Sequence, residues 1–266
     1  MSGLNRNNNE KYYTNSEVSK QCIDFFMSIV KPDINDIIIE PSAGSGSFSD
    51  HLRDIFPNLF CYDLYPEKSY ILKQNYLEFT MSECVAEPVH VIGNPPFGRQ
   101  SSLVRKFIKK SMDFASSISF ILPRSFKKQS MQKAFSLDFH LEFEIDLPKN
   151  SFSLNGEVHD VPCIFQIWKK YTHLRQVVPP SKPDSFNFVK KTNLDIDFSI
   201  TRVGGCAGRL NEEYESCSAS SNYFIKLNDT IDKNKFKELY KTIQFLDNNT
   251  VGPKSISKSE LINNIN

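Results

Sequence analysis

Two consecutive prolines directly behind a β-branched run constrain this chain more than any other feature. Val89, Val91 and Ile92 read as a short strand feeding a sheet core, and Gly93-Asn94-Pro95-Pro96-Phe97 follows without a break. Pro95 and Pro96 fix φ at two successive positions and remove two backbone donors, so neither strand nor helix continues. Asn94 precedes a proline and is pushed toward extended backbone. The product is a stiff segment at a strand's C-terminal end, displaying an amide, backbone carbonyls and an aromatic ring. It suits the capture of an exocyclic amino group: the Asn94 side-chain oxygen and the Pro95 carbonyl each accept one N–H, and Phe97 stacks on the ring that carries the amine. A proline-stiffened strand end with Phe97 in the core is the competing reading, and the rest of the chain has to decide.

Upstream, residues 1–11 are polar and Asn-rich and are expected to be disordered up to Tyr12-Tyr13-Thr14. From Ser16, Val18, Cys22, Phe25/Phe26 and Ile29/Val30 recur at helical spacing until Lys31-Pro32 ends the pattern. Ile37, Ile38 and Ile39 read as a strand buried on both faces. Glu40-Pro41-Ser42-Ala43-Gly44-Ser45-Gly46 follows, then a helix with Phe48, Leu52, Ile55 and Phe56 on one side. Strand, glycine turn and helix make the first half of a nucleotide-binding unit. Gly44-x-Gly46 has no third glycine, since Ser49 stands there, which departs from the dinucleotide fingerprint and disfavours a nicotinamide dehydrogenase. Glu40 at the strand end repels a phosphate and suits a cationic ligand.

A strand over residues 59–62 ends at Asp63, which is either placed for the two hydroxyls of a ribose or an ordinary loop aspartate. Asn75, ahead of the strand at Val89, is a candidate for an adenine-edge contact. Ser101 or Ser102 caps a predicted helix to about Ser116, with Leu103, Phe107, Ile108 and Phe114/Ala115 inward. Arg105, Lys106, Lys109 and Lys110 lie off that stripe, as a solvated face or as a phosphate-contacting ridge. Residues 118–122 form a further strand closed by Pro123, which puts Arg124 on the same sheet edge as Asn94. Residues 126–135 read as helix. Residues 140–147 and 161–169 read as an antiparallel closing pair, with the loop 148–160 bordering the site and His159 a surface residue of that loop.

At residues 173–184 the Pro179-Pro180-Ser181-Lys182-Pro183 run marks a linker. It separates a domain over residues 12–172 from an 80-residue element, 185–266. That element is predicted to hold short strands (186–189, 196–203, 223–227), a helix over 233–246 and a last short helix capped within Ser255-Ile256-Ser257-Lys258-Ser259-Glu260. Its Gly204-Gly205-Cys206-Ala207-Gly208 turn has no helix behind it and is not a second nucleotide loop. Net charge is +1 over 266 residues, so any nucleic-acid surface must be a local patch. The six cysteines show no CxxC spacing, and neither a metal site nor disulfides are expected. No apolar run approaches a membrane span, and an intracellular protein, cytoplasmic or nuclear, is expected.

With Gly44-x-Gly46 and Asn94-Pro95-Pro96-Phe97 both in view, residues 11–170 resemble the S-adenosylmethionine-dependent N6-adenine methyltransferases of nucleic acids. The resemblance implies a Rossmann-like class I methyltransferase fold, α/β with a seven-stranded, mostly parallel sheet, and S-adenosyl-L-methionine as cofactor. It implies that Gly44 and Gly46, with Glu40 and Pro41, wrap the cofactor's amino-acid part, that Asp63 takes the ribose and that Asn75 lies near the adenine. Tyr13-Thr14 resembles the N-terminal motif whose Thr meets the methionine carboxylate, with Asn15 where proline is common. Asn94, Pro95, Pro96 and Phe97 match the catalytic motif completely, Asn94 also touching the cofactor. Phe97, Arg99 and Arg124 are the substrate-binding candidates. DNA ranks ahead of RNA as substrate because a separate element follows the catalytic motif. Protein glutamine methylation and a non-catalytic, nucleic-acid-binding subunit beside an active partner stay open.

Overall fold

The computed structural model describes residues 12–81, 86–154, 156–176, 182–245 and 254–265. In chain order the elements are β1 (Tyr13–Thr14), α1 (Ser16–Val30), β2 (Ile37–Glu40), α2 (Ser49–Leu52), β3 (Leu59–Asp63), β4 (Leu72–Lys73), β5 (Val89–Gly93), α3 (Ser102–Met112), β6 (Ser117–Pro123), α4 (Gln129–Gln132), β7 (Phe139–Asp146), β8 (Phe152–Leu154), β9 (Glu157–His159) and β10 (Cys163–Lys170). β11 (Phe186–Val189), β12 (Phe198–Thr201), β13 (Leu210–Asn211), β14 (Asn222–Leu227), α5 (Lys233–Lys241) and α6 (Lys258–Ile265) follow. They divide into two compact units, Met1–Gln176 and Val177–Asn266.

The β-branched runs become neighbouring strands in a seven-stranded sheet of order β4-β3-β2-β5-β6-β10-β7. β4, β3, β2, β5 and β6 are parallel, and β10 runs antiparallel to both β6 and β7. Successive side chains alternate between faces. Ile39, Val91, Ile118 and Phe120 enter one apolar cluster with Val104, Phe107 and Ile108 of α3. Ile38, Ile92, Ile121 and Phe165 enter another with Val18, Cys22, Ile23 and Phe26 of α1. Both faces are covered, as a parallel sheet requires. From β2 the chain goes out to β3 and β4, then returns to β5 on β2's other side. That reversal is a topological switch point, where open α/β sheets take their ligands.

Four predicted helices are shorter than the periodicity suggests, α5 among them. After the glycine turn only Ser49–Leu52 is α-helical; Pro57 excludes helical backbone at Phe56, and Ile55 is 42% exposed while Phe48, Leu52 and Phe56 are buried. The segment 126–135 is broken by extended backbone at Lys128 into a 3-10 turn (Arg124–Lys127) and α4. Phe126 and Phe135 are both buried, yet nine helical positions would put them on opposite faces, so the break lets both reach the core. α3 stops at Met112, because by Ser116 the backbone N–H already donates to the Val89 carbonyl in the sheet.

The closing pair forms as β7 and β10, and the loop between them carries the β8–β9 hairpin, which pairs with β1. His159 therefore ends a strand, edge-on to Tyr12, instead of lying in a loop. In the second unit the sheet order is β11-β14-β12-β13, and Phe236, Tyr240, Leu261 and Ile262 share its core with Phe186, Phe198 and Ile225. The glycine turn packs there: the Tyr240 hydroxyl donates to the Gly208 carbonyl at 2.9 Å, and a Cβ on Gly208 would lie 2.8 Å from Phe245. Ser257 and Glu260 cap α6 reciprocally, side chain to backbone in both directions. The expected disorder at 1–11 and most of the Pro-rich linker run lie outside the described residues. The helix predicted to Leu246 ends as α5 at Lys241, with residues 242–245 not helical and residue 246 outside the described residues. No described helix is long and apolar enough to cross a membrane.

Candidate active site

β2 and β5 end side by side because proline and glycine stop them at the same level. Gly93 has φ of 150°, and a Cβ there would lie 3.3 Å from Glu40 Cγ and 3.7 Å from Pro41 Cδ. Glycine is what lets β5 pass this close to the Glu40 side chain. Glu40 is 2% exposed, and its Oε2 has no hydrogen-bond partner. Ser49, standing where a third glycine would be, hydrogen-bonds the same carboxyl. Burial pushes the Glu40 pKa up to about 8; the Ser49 bonds oppose the shift and the charges of Asp63 and Asp50 add to it. At neutral pH the ligand-free carboxyl is therefore protonated, and an incoming cation favours its ionised form.

On the adjacent strand end, the Asn94 amide donates to Thr14 Oγ1 at 3.2 Å and to the Tyr12 carbonyl at 3.4 Å. The opposite amide orientation would set oxygen against the Tyr12 carbonyl oxygen, so the contacts fix which end is which. Oδ1 is left buried with no partner. Ser42 Oγ holds the Asn94 backbone carbonyl at 3.1 Å. β1 is itself fastened to β8, Thr14 opposite Phe152, and Asn15 N donates to the Ser151 carbonyl at 3.0 Å. The loop over residues 148–160 thus reaches the site through β1.

The glycine turn takes positive φ at Gly44 (53°) and Gly46 (89°). Gly44 N donates to Asp63 Oδ2 and Tyr65 N to Asp63 Oδ1, both at 2.8 Å. The Tyr13 ring lies over Gly44, 3.4 Å from where a Cβ would stand, and its hydroxyl donates to Glu67. Burial and then the Glu67 bond raise the Tyr13 pKa to about 12. Glu67 N donates in turn to the Gly44 carbonyl at 3.3 Å. Beside Gly46 lie Tyr70, whose hydroxyl donates to Asp50 Oδ1 at 2.6 Å, and the Lys68–Asp50 ion pair.

Pro95 is buried, Pro96 exposed, and half-buried Phe97 touches both apolar clusters, between the stacking and core readings. Its carbonyl accepts from Leu103 N (3.1 Å) and Val104 N (3.3 Å), tying the motif to the start of α3. Gln100 (φ 52°) and Ser101 (φ 59°) both adopt left-handed backbone, strain of about 1–3 kcal/mol each that the fold has to hold. Exposed Arg99 lies in the one-turn 3-10 helix there.

Glu40, Pro41, Gly44, Gly46, Asp63, Tyr13, Thr14 and Asn94 are thus brought together at one sheet edge. Two other candidates are engaged elsewhere. Asn75 caps a 3-10 turn, accepting from Leu77 N at 3.2 Å and donating to Glu78 at 2.7 Å. Arg124 follows β6 as predicted, but its Nε donates to Asp146 at 2.8 Å, with Lys127 on the other carboxylate oxygen at 2.6 Å. Sequence reasoning passed over Gly93, Ser49 and Glu67 as site residues. Gly93 left a signal, since a glycine inside a β-branched strand marks a close approach; nothing in the sequence joins Glu67 to Tyr13 across 54 residues.

No protein-family model matches the chain. Over 182 residues, 64% of the chain, it is 28% identical to Protein ENHANCED DOWNY MILDEW 2 of Arabidopsis thaliana, and the match spans 13% of that protein's length. Among solved structures, the "putative RNA methyltransferase PH1948" of Pyrococcus horikoshii superposes with a TM-score of 0.50 at 17% identity, covering 64% of this chain and 93% of that one. N-methyltransferase NodS of Bradyrhizobium japonicum, in complex with S-adenosyl-l-homocysteine, gives 0.42 at 13% identity over 58% and 86%. The strand order, the layers and the Pyrococcus likeness agree on one architecture: the first unit has the Rossmann-like class I methyltransferase fold.

Proposed function

We propose that this chain transfers a methyl group from S-adenosyl-L-methionine to the N6 amine of adenine in nucleic acid, with DNA as the first substrate. One observation carries the reading. At the switch point of the sheet, two side chains offer buried acceptor atoms with no partner, Glu40 Oε2 and Asn94 Oδ1, where such groups are otherwise hydrogen-bonded. Both fit a ligand that brings N–H donors and positive charge, which describes the cofactor's ammonium and an adenine amine.

When bound, S-adenosyl-L-methionine supplies a methyl group made electrophilic by its sulfonium. The chain's own residues then have three tasks. Glu40 ionises against the cofactor's positive charge, and Gly44 and Gly46 give its amino-acid part room at the backbone. Asp63, at the end of β3 beside the glycine turn, accepts from the ribose hydroxyls. Asn94 Oδ1 and the Pro95 carbonyl accept the two N–H bonds of the amine, drawing its lone pair out of conjugation with the ring and aligning it to form the N–C bond as the S–CH3 bond breaks. N6 then gives up one of its two protons. Thr14 and Tyr12 keep the Asn94 amide turned for that purpose. A duplex adenine has to be extruded, and stacking on Phe97 offsets part of that cost.

RNA is the second reading, favoured by the description of the Pyrococcus protein that shares the fold. The test is methyl transfer from labelled cofactor to matched pools of duplex DNA, single-stranded DNA and RNA, with nucleoside analysis. Label in N6-methyladenine is expected, and the labelled pool names the substrate. Cofactor binding with no label in any pool would overturn the reading.

A further inference from the structure

We propose that the outward face of α3, with Arg99 before it and Lys133 beside it, is a docking surface for the phosphodiester backbone of nucleic acid. The inference deepens the nucleic-acid reading above and rests on it for the identity of the partner, but its footing is separate. Residues 97–137 hold nine Lys and Arg and a single acidic residue, Asp113. This stretch therefore carries +8 in a chain whose net charge is +1, leaving −7 for all the rest. The near-neutral total hides a strongly one-signed region, and it starts at the Phe97 of the amine-capturing motif.

Part of that charge is neutralised inside the fold. Arg124 and Lys127 sit on Asp146, and Lys110 faces Asp113 at 3.7 Å. Arg99, Arg105, Lys106, Lys109 and Lys133 are exposed and form no ion pair among the described residues. Arg105 and Lys109 are one helical turn apart. Arg105 also reaches Met131 Sδ at 2.9 Å, a neutral partner that joins α3 to α4 and to Lys133 behind it. From Arg105 to Lys109 the helix rises about 6 Å, and Arg99 before it and Lys133 beside it extend the basic surface beyond one phosphate. Its origin is fixed relative to the site, since the Phe97 carbonyl accepts the first N–H groups of α3.

The arrangement works against the helix that carries it. Arg105/Lys109 and Lys106/Lys110 are like-charge pairs at i,i+4, which destabilise a helix, and no acidic residue stands in its first turn to complement the macrodipole. A solvated face selected only for stability would alternate its signs. The partner is not a membrane, because between residues 97 and 137 only Leu137 is an exposed large hydrophobic residue and the apolar side of α3 is spent on the core; an interfacial helix needs that side free.

The experiment measures binding of the full chain to labelled duplex DNA, single-stranded DNA and single-stranded RNA over a series of salt concentrations. It compares the wild type with the triple variant Arg105→Gln/Lys106→Gln/Lys109→Gln and a control triple, Lys20→Gln/Lys149→Gln/Lys190→Gln. Each lost phosphate contact lowers the log–log salt slope by about 0.9 on duplex and about 0.7 on single strands. The expected loss is thus about 2.7 or about 2 for the α3 triple and none for the control, with cofactor binding unchanged in both. An unchanged slope in the α3 triple, an equal loss in the control, or wild-type binding to polyglutamate but to no oligonucleotide would overturn the proposal. A chain that binds nucleic acid through these residues yet methylates no pool would sink the methyl-transfer reading and leave this surface standing.

Discussion

The two ends of β5 treat a buried polar side chain in opposite ways. At the N-terminal end, His90 Nδ1 pairs with Ser117 Oγ at 2.8 Å and Nε2 with Asp36 Oδ2 at 3.0 Å, while Phe26 stands edge-on to the ring. At the C-terminal end, Asn94 uses its amide N–H groups on β1 and leaves Oδ1 buried and unpaired. β2 repeats the contrast, with Asp36 just before it bonded to His90 and Glu40 at its end holding an oxygen that touches no donor. Burial moves both titrating groups toward neutrality, His90 downward and Glu40 upward. A buried polar atom left without a partner costs about 1–3 kcal/mol; among the described residues the fold bears that cost at Glu40 and Asn94 on this edge, and also at Ser119 Oγ within β6 and at Arg175 Nε. Along β2 and β5 the closed set thus lies at the N-terminal ends and the open acceptors at the C-terminal ends, the side on which open α/β sheets take their ligands.

Breaking the open end should show in chemistry, not in stability. Asn94→Ala is expected to lower methyl transfer by on the order of 10²–10³-fold, the scale of losing one preorganised hydrogen-bonding group. Cofactor affinity should stay within a few-fold, as single-turnover kinetics beside equilibrium binding will show. Cofactor affinity falling in parallel with turnover would count against an amine-holding role. Glu40→Gln comes next, with an expected loss of about ten- to a hundredfold in cofactor affinity, the worth of a hydrogen bond to a charged group. It carries a sharper signature. At pH 6.5 the wild-type carboxyl is protonated, because its pKa is about 8, while the ligand's ammonium keeps its proton. Binding should therefore release close to one proton, seen as a buffer-dependent enthalpy, and the variant should release none. Proton release surviving in Glu40→Gln would place the titration elsewhere.

The closed end should answer in the reverse sense. His90→Gln leaves Asp36 and Ser117 imperfectly paired and is expected to cost about 1–3 kcal/mol of stability, with turnover of the folded fraction unchanged. The sign of the pH dependence follows from burial lowering the His90 pKa. The unfolded chain takes up the proton near pH 6.5 and the folded chain only at lower pH. The His90 contribution is then complete above about 6.5 and declines as pH falls through the folded value. Between pH 7 and 5.5 the raised Glu40 pKa gives both proteins the same opposing slope, so thermal unfolding should show the wild type losing stability on acidification relative to His90→Gln. Equal slopes would leave the burial of His90 without thermodynamic weight.

The open end was legible in sequence because proline and glycine write it there. Ile37 to Ile39 before Glu40-Pro41, and Val89 to Ile92 before Gly93-Asn94-Pro95, state strand, stop and polar side chain in local terms, and the switch point lies where both stop. What escaped depends on contacts between distant residues. The break at Lys128 exists because Phe126 and Phe135 must reach one core, and helical periodicity alone cannot see that demand. Asn75 and Arg124 stood at the right places in the chain order, but their side chains are engaged by Leu77, Glu78 and Asp146, which spacing does not report. The closed end was invisible for a like reason, since His90, Asp36 and Ser117 meet only after β2, β5 and β6 have aligned.

Tyr13 lies between the two behaviours and gives the smallest expected effect. Its ring covers Gly44, and its hydroxyl closes on Glu67, whose backbone in turn holds the Gly44 carbonyl. With a pKa of about 12 the phenol remains a donor throughout the working range. Tyr13→Phe removes the hydroxyl and keeps the ring, and partly exposed bonds of this kind contribute about 0.2–1 kcal/mol. The cofactor KM should therefore rise no more than about fivefold with kcat unchanged. Glu67→Gln should have a similar effect, and the double variant should do no more than either alone, since both remove the same bond. Additive losses would mean that Tyr13 and Glu67 act on the glycine turn separately. A fall in kcat at saturating cofactor would mean that the contact also bears on Asn94, through Thr14 on the same short strand.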